Sequence, residues 1–194
     1  MSWLQSNNPA HALVLSLALS LALTLAGPAG AHDHAADVPA AEAKDMSACS
    51  AFKWPIDRER AAFESADLQK LSSGASQSAW SEQVFTLGLK PAKDVAFPIT
   101  PPAKKNAPET FGGTLSFAAP AQSGTYQITI SNHSWIELVQ DGAALKTVDH
   151  SGAKGCDGIR KSIRFNVGAA PVVLQVSGSP EETVNVSIRP VEAN

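Results

Sequence analysis

The sequence predicts an all-β fold: a jelly-roll-like β-sandwich of seven to eight antiparallel strands, preceded by one short helix. Three observations lead there. Beyond residue 82, apolar side chains recur at every second position, the period of a half-buried strand. Turn residues interrupt those runs every eight to twelve positions or so, the spacing of sandwich strands. Asp141-Gly142 separates two such runs, and a two-residue hairpin of type I′ needs positive φ at both positions, which Asp-Gly tolerates.

The elements follow in chain order. Ala12 to Ala26, "ALVLSLALSLALTLA", holds no charge and has the length of an export-signal apolar region; a membrane-spanning helix needs roughly 20 residues. Ala29-Gly30-Ala31 then supplies a small-x-small cleavage pattern before His32. Residues 1–31 are therefore expected to be a signal peptide and 32–47 an Ala-rich flexible leader. Residues 48–194 are expected to form a single domain. Within "CSAFKWPIDRERAAF" a short helix is expected near 56–64, with Pro55 at its start. Asp57 then sits near the positive helix end, with Arg58 and Arg60 solvated or paired to Glu59 and Glu64. "SSGASQS" reads as a break.

Strands are expected over 83–90, 114–118, 126–131, 135–140, 143–149, 159–167, 172–177 and 183–189, with Gly88 marking a bulge. The proline-rich stretch from Pro91 to Pro108 reads as loop, with at most a short edge strand near Val95. Alternation points Leu115, Phe117, Tyr126, Ile128, Ile130, Ile163, Phe165, Val167, Val184, Val186 and Ile188 inward. Trp54 and Trp135 are both expected in the core.

Cys49 and Cys156 are the two cysteines of the chain. Export places them in an oxidising compartment, where an even count argues for a bridge. The formal net charge is −3. No clustered basic face is visible for a phosphate backbone, and no polybasic run for a membrane surface. Neither nucleic acid nor membrane, beyond the export signal, is an expected partner; an unidentified protein or small ligand is.

Two groups of side chains carry candidate chemistry. If the mature chain begins His32-Asp33-His34, either its α-amine, two backbone amides and the His34 imidazole, or the amine and ring of His32 alone, suit square-planar Cu(II); the alternative is a polar tail without a cofactor. The loop "DHSGAKGCDGIRKSIR" is the densest polar stretch. There Asp149, His150, Lys154, Asp157 and Arg160 suit a ligand or partner contact at one end of the sandwich. No Ser-His-Asp, paired-carboxylate or phosphate-loop pattern is present, so a non-enzymatic role is expected.

"KWPIDRERAAF" together with "WIELVQDGAALKTVDHSGAKGCDGIRKSIRF" resembles a family of small exported proteobacterial proteins. The shared stretches are Trp-Pro-x-Asp-Arg-Glu, here Trp54 to Glu59, and Gly-Cys-(Asp/Glu)-Gly, here Gly155 to Gly158. Some members of that family carry the name homogentisate dioxygenase. The likeness to them would imply a facial iron triad, for which His133, Glu137 and His150 are the available side chains. "SGTYQITISNHSWIELVQDGAAL" with "APVVLQVSGSPEETVNVSIRP" is similar in pattern to the bacterial pre-peptidase C-terminal domain, which implies a jelly-roll accessory module. The expectation is an exported, periplasmic or secreted binding or accessory protein. Copper binding through His32 and His34 is the alternative, and the dioxygenase a remote one.

Overall fold

The structure, a computed structural model, describes residues 47–78, 80, 82–102 and 109–192. Twelve strands are present among them: β1 (Gln69–Ser72), β2 (Ala75–Gln77), β3 (Gln83–Gly88), β4 (Lys90–Pro91), β5 (Phe111–Phe117), β6 (Gly124–Ile130), β7 (Trp135–Gln140), β8 (Ala143–Ala144), β9 (Thr147–Gly152), β10 (Lys161–Val167), β11 (Val172–Ser179) and β12 (Thr183–Pro190). One α-helix, α1 (Asp57–Phe63), follows a 3-10 turn at Ser47–Ala51. No helix of the described residues is long and apolar enough to cross a membrane.

The strands form two sheets. One runs β1-β3-β12-β6-β10-β9; the other runs β2-β5-β11-β7-β8, with β4 paired to β5. A single apolar layer joins them. Phe85, Ile128, Phe165, Val186 and Ile188 from the first sheet cluster with Leu115, Leu138, Leu174 and Val176 from the second. Every side chain that alternation directs inward lies in that cluster. Trp80 closes one end of it, with its ring 4.9 Å from Phe117 and 5.6 Å from Tyr126, both edge-on.

Several expectations need correction. There are twelve strands rather than seven or eight, and two pairs are parallel: β1 with β3, and β2 with β5. The "SSGASQS" stretch runs from the end of one short edge strand, β1, through a turn at Ser73-Gly74 and across another, β2. Backbone ladders hold them there without an apolar pattern of their own. Gly88 pairs in regular register with Ser72 and Thr183; the ladder irregularities fall at Arg164/Phe165 and Val176/Ser179. The run expected over 143–149 is split into β8, which pairs with β7, and β9, which pairs with β10. It therefore turns the corner from one sheet to the other. Trp135 is 40% exposed, because its neighbours Ile136 and Leu138 take the inward positions of β7 and alternation turns Trp135 out. Its ring lies 5.0 Å from the Lys161 ammonium. The Asp141-Gly142 hairpin is as expected, with φ of 50° and 76°.

Residues 97–99 of the proline-rich segment lie over the outer face of the second sheet. The Ile99 N–H reaches Gln175 Oε1, and Phe97 sits against Gly112, where a Cβ would stand 2.6 Å from the Phe97 ring. Gly112→Ala should therefore cost about 1–3 kcal/mol, the usual range for overpacking. Gly124→Ala, which would meet open space, should stay within about 0.5 kcal/mol of the parent. Urea unfolding of both variants checks this, and equal losses would contradict the packing argument.

Candidate functional site

Gln127, Thr129 and Ser162 alternate with the core residues of β6 and β10, so they point away from the sandwich interior. Each is nevertheless 0% exposed. The cover is residues 49–63, which lie across the outer face of the first sheet as a clasp. Phe52, Trp54, Ile56 and Phe63 form a second apolar cluster there with Ala153, Cys156 and Ile159.

Polar contacts fix the position of the clasp. Trp54 Nε1 donates to Ser162 Oγ at 3.0 Å, and that hydroxyl is 2.9 Å from Thr129 Oγ1. The Arg164 guanidinium stacks 4.0 Å from the Trp54 ring centre. Burial first, and the nearby Arg189 second, push Arg164 below the ordinary guanidinium value. The Lys53 N–H donates to Ser151 Oγ at 2.9 Å. Glu59, 1% exposed, is the hub: its Oε1 accepts from Arg189 Nε and, at 2.7 Å, from Gln127 Nε2. Gln127 Oε1 accepts in turn from Arg164 Nε at 3.2 Å.

Glu59 therefore belongs to the sheet face and not to the solvated surface of the helix. Arg58 pairs with Glu82 at 2.8 Å, and Arg60 with Asp57 at 3.9 Å. The Trp-Pro-x-Asp-Arg-Glu stretch thus seats the clasp: Trp54 and Glu59 make its two buried polar anchors.

The expected bridge is present. Cys49 and Cys156 are bonded across 107 residues, which ties the start of the clasp to the Gly-Cys-Asp-Gly loop. Behind the clasp, α1 and that loop form two walls of a cleft of about 620 Å³. Arg60, Phe63 and Glu64 line it from the helix side, Asp157 and Gly158 from the loop, Asn185 from β12 and Ser131 from the bend after β6. The loop wall is stiffened by Arg160, whose N–H donates to Ile130 O at 2.9 Å and whose Nη1 reaches Ala153 O at 3.3 Å.

Of the five loop residues expected to act together, Asp157 lines the cleft and the others do not. Asp149 and His150 lie within β9. Asp149 accepts from Lys53 Nζ at 2.6 Å and from the His150 N–H at 2.7 Å, and these bonds, Lys53 foremost, hold its carboxyl below the ordinary value. Lys154 is exposed, and Arg160 is turned back onto its own loop. Ser131, Asn185, Arg60, Phe63 and Glu64 come from separate segments, and only the Arg60 to Glu64 stretch carried a signal in the sequence, through the motif beside it. Asn132 of the "NHS" tripeptide is structural: its Nδ2 donates to Ser179 Oγ and Thr183 O, and its Oδ1 accepts from Ser134.

His32 and His34 lie outside the described residues. Among those described, no three His, Cys, Asp or Glu side chains group as a metal-ligand set, so His133, Glu137 and His150 are not brought together. Glu137 instead accepts from Gln175 Nε2 at 2.6 Å. Partial burial, partly offset by that hydrogen bond, raises its carboxyl above the ordinary 4.5. A group raised in the fold favours folding while protonated, and that contribution declines as pH rises through the raised value. Glu137→Gln keeps an acceptor for Gln175 and cannot ionise. It should melt at a higher temperature than the parent at pH 7, with the gap closing near pH 3.5. Thermal melts at the two pH values check this, and a gap independent of pH would contradict it.

Compared with family models, with curated proteins and with solved structures, the chain shows no significant match to any of them.

Proposed function

We propose that this protein is exported and acts by binding, not by catalysis, through the cleft between the clasp and the Gly-Cys-Asp-Gly loop. The observation that carries the reading is the way this cleft is built. Its two walls come from segments about a hundred residues apart in sequence, held together by the one disulfide. A bridge of this kind persists in an oxidising compartment, in keeping with the export-signal pattern before His32. Concave sites of about 300–1,000 Å³ with a few convergent polar groups are the usual form of small-ligand sites. The likeness to an exported family and to a jelly-roll accessory module belongs with the same reading.

The test has two parts. Protein recovered from the cell envelope should begin at His32 and contain the Cys49–Cys156 linked peptide on non-reducing mass mapping. In a ligand screen, resonance shifts should concentrate at Ser131, Gly158 and Asn185. Recovery from the cytosol at full length with both thiols free would contradict export. Shifts confined to the opposite sheet would contradict the site.

A further inference from the structure

The outer face of the second sheet carries groups that neither the clasp nor the cleft uses. Trp135 and Val148 are the large apolar side chains left exposed among the described residues, and Val148 lies on β9, in the first sheet. On β11 the register partner of Trp135 is Ser177. Ser177 alternates with Val176 of the core, so it points out of the sandwich on the same face as the indole. It is only 3% exposed, and its Oγ has no hydrogen-bond partner among the described residues. One strand further on, β5 pairs Gly113 with Val176, and the adjacent Gly112 lies under the half-buried Phe97 ring. The row across β7, β11 and β5 therefore reads aromatic ring, hydroxyl, aromatic ring. Neighbouring strands stand about 4.8 Å apart, which puts β7 and β5 about 10 Å apart.

Trp135 is held in position before any ligand arrives. A Cβ on Gly178 would stand 3.2 Å from its Cδ1, and the Lys161 ammonium lies 5.0 Å from its ring centre. The indole is thus fixed by a backbone contact and a cation while 40% of the residue stays open to solvent. A side chain already ordered costs less on binding. The charges beside the row are spoken for: Glu137 accepts from Gln175, and Lys161 donates to Ser134 O. An ionic ligand gains nothing there. A protein partner needs roughly 800 Å² on each side around an apolar centre, and one indole does not supply it. An acyl chain would leave the Ser177 hydroxyl buried and unpaired, the costly arrangement. A sugar ring supplies both halves. Its C–H face lies against the electron-rich face of an indole, and the hydroxyls on its rim reach a buried one.

We infer that the Trp135–Ser177–Phe97 row on the outer face of the second sheet binds a neutral oligosaccharide. One sugar ring stacks on Trp135, a hydroxyl bonds to Ser177 Oγ, and the chain runs on towards Phe97. The site is on the other sheet from the clasp and does not depend on the cleft.

The test uses the oxidised, isotope-labelled protein. Cellotetraose and chitotetraose are compared with sorbitol, which carries hydroxyls without a ring. At least one tetrasaccharide should shift the Trp135 indole N–H together with the Ser177 and Gly112 amides, and sorbitol should shift none of them. Which tetrasaccharide binds tells a plain glucan chain from an N-acetylated one. Trp135→Ala should weaken binding more than about tenfold, and Trp135→Phe should recover part of that loss. Ser177→Ala should weaken binding roughly fivefold without lowering Tm, since the hydroxyl it removes has no partner in the free protein. No shift with either tetrasaccharide, equal shifts with sorbitol, or unchanged affinity in either alanine variant would overturn the inference. If the sugars shift Ser131, Gly158 and Asn185 instead, they belong to the cleft; the inference falls and the cleft stands. If Trp135→Ala alters the sedimentation of the sugar-free protein, the face is a contact between copies of the chain, and the inference falls in that case too.

Discussion

Replacing both cysteines, Cys49→Ser with Cys156→Ser, should lower stability by about 2–4 kcal/mol, or roughly 5–15 °C in Tm for a domain of this size. The bridge closes a loop of 107 residues, and the chain-entropy model allows up to ~4.7 kcal/mol for a loop near that length. The expected loss falls below that limit because the clasp does not depend on the bridge alone. Phe52, Trp54, Ile56 and Phe63 stay apolar and complementary to Ile159, and Trp54 keeps its partner Ser162. The variant should therefore fold, with its sandwich intact and its clasp loosened. Calorimetry of the oxidised parent and the double variant measures the difference. A loss under about 0.5 kcal/mol would mean that the bridge constrains nothing.

Glu59→Gln should cost about 3 kcal/mol. Removing one partner of a buried ion pair typically costs 3–5 kcal/mol, because the other charge is left without compensation. The lower end applies here, since Arg189 retains 22% of its side-chain exposure while Glu59 has 1%. A glutamine also fills the same volume and still meets Gln127, so the change isolates the charge from the packing. Adding Arg189→Met should restore much of the loss, since neither charge then remains to be solvated. Chemical denaturation of the two single variants and the double variant closes the cycle. Additive losses would show that Glu59 and Arg189 are not coupled.

The interior of this protein was legible in its sequence, and the clasp was not. Alternating apolar residues mark one face of each long strand, so Leu115, Ile128, Phe165 and Val186 announce their burial locally. Asp141-Gly142 announces its hairpin for the same local reason. Glu59 carries no such mark. Its partners stand 68 and 130 residues away in sequence, and a glutamate in "DRER" looks like any exposed helical charge until a sheet face is placed beneath it. Gln127, Thr129 and Ser162 read as solvent-facing for the same reason, because what covers them comes from another part of the chain. The short strands β1 and β2 escape notice because backbone pairing with β3 and β5 holds them, and parallel edge pairing leaves no side-chain pattern. Trp135 shows the opposite error: its apolar neighbours Ile136 and Leu138 argued for burial, and the period of its strand decided against it.

The cleft was partly legible. Cys156 and Asp157 stood out as a polar glycine-rich loop, and the Trp-Pro-x-Asp-Arg-Glu stretch stood out as a motif. What the sequence did not convey is that the two meet, and that Asp149, His150, Lys154 and Arg160 do not accompany Asp157 into the cavity. The loop's charges divide by strand register: Asp149 and His150 fall on β9 and are paired there, while Asp157 lies beyond the disulfide.

Hydrogen exchange, followed residue by residue in the oxidised protein and in the doubly substituted Cys49→Ser, Cys156→Ser variant, tests most directly whether one bridge fastens the clasp that walls the cleft. Protection should fall sharply over residues 49–63 and 153–160 while β6, β11 and β12 keep theirs. Uniform loss across the sandwich, or unchanged protection over 49–63, would contradict it.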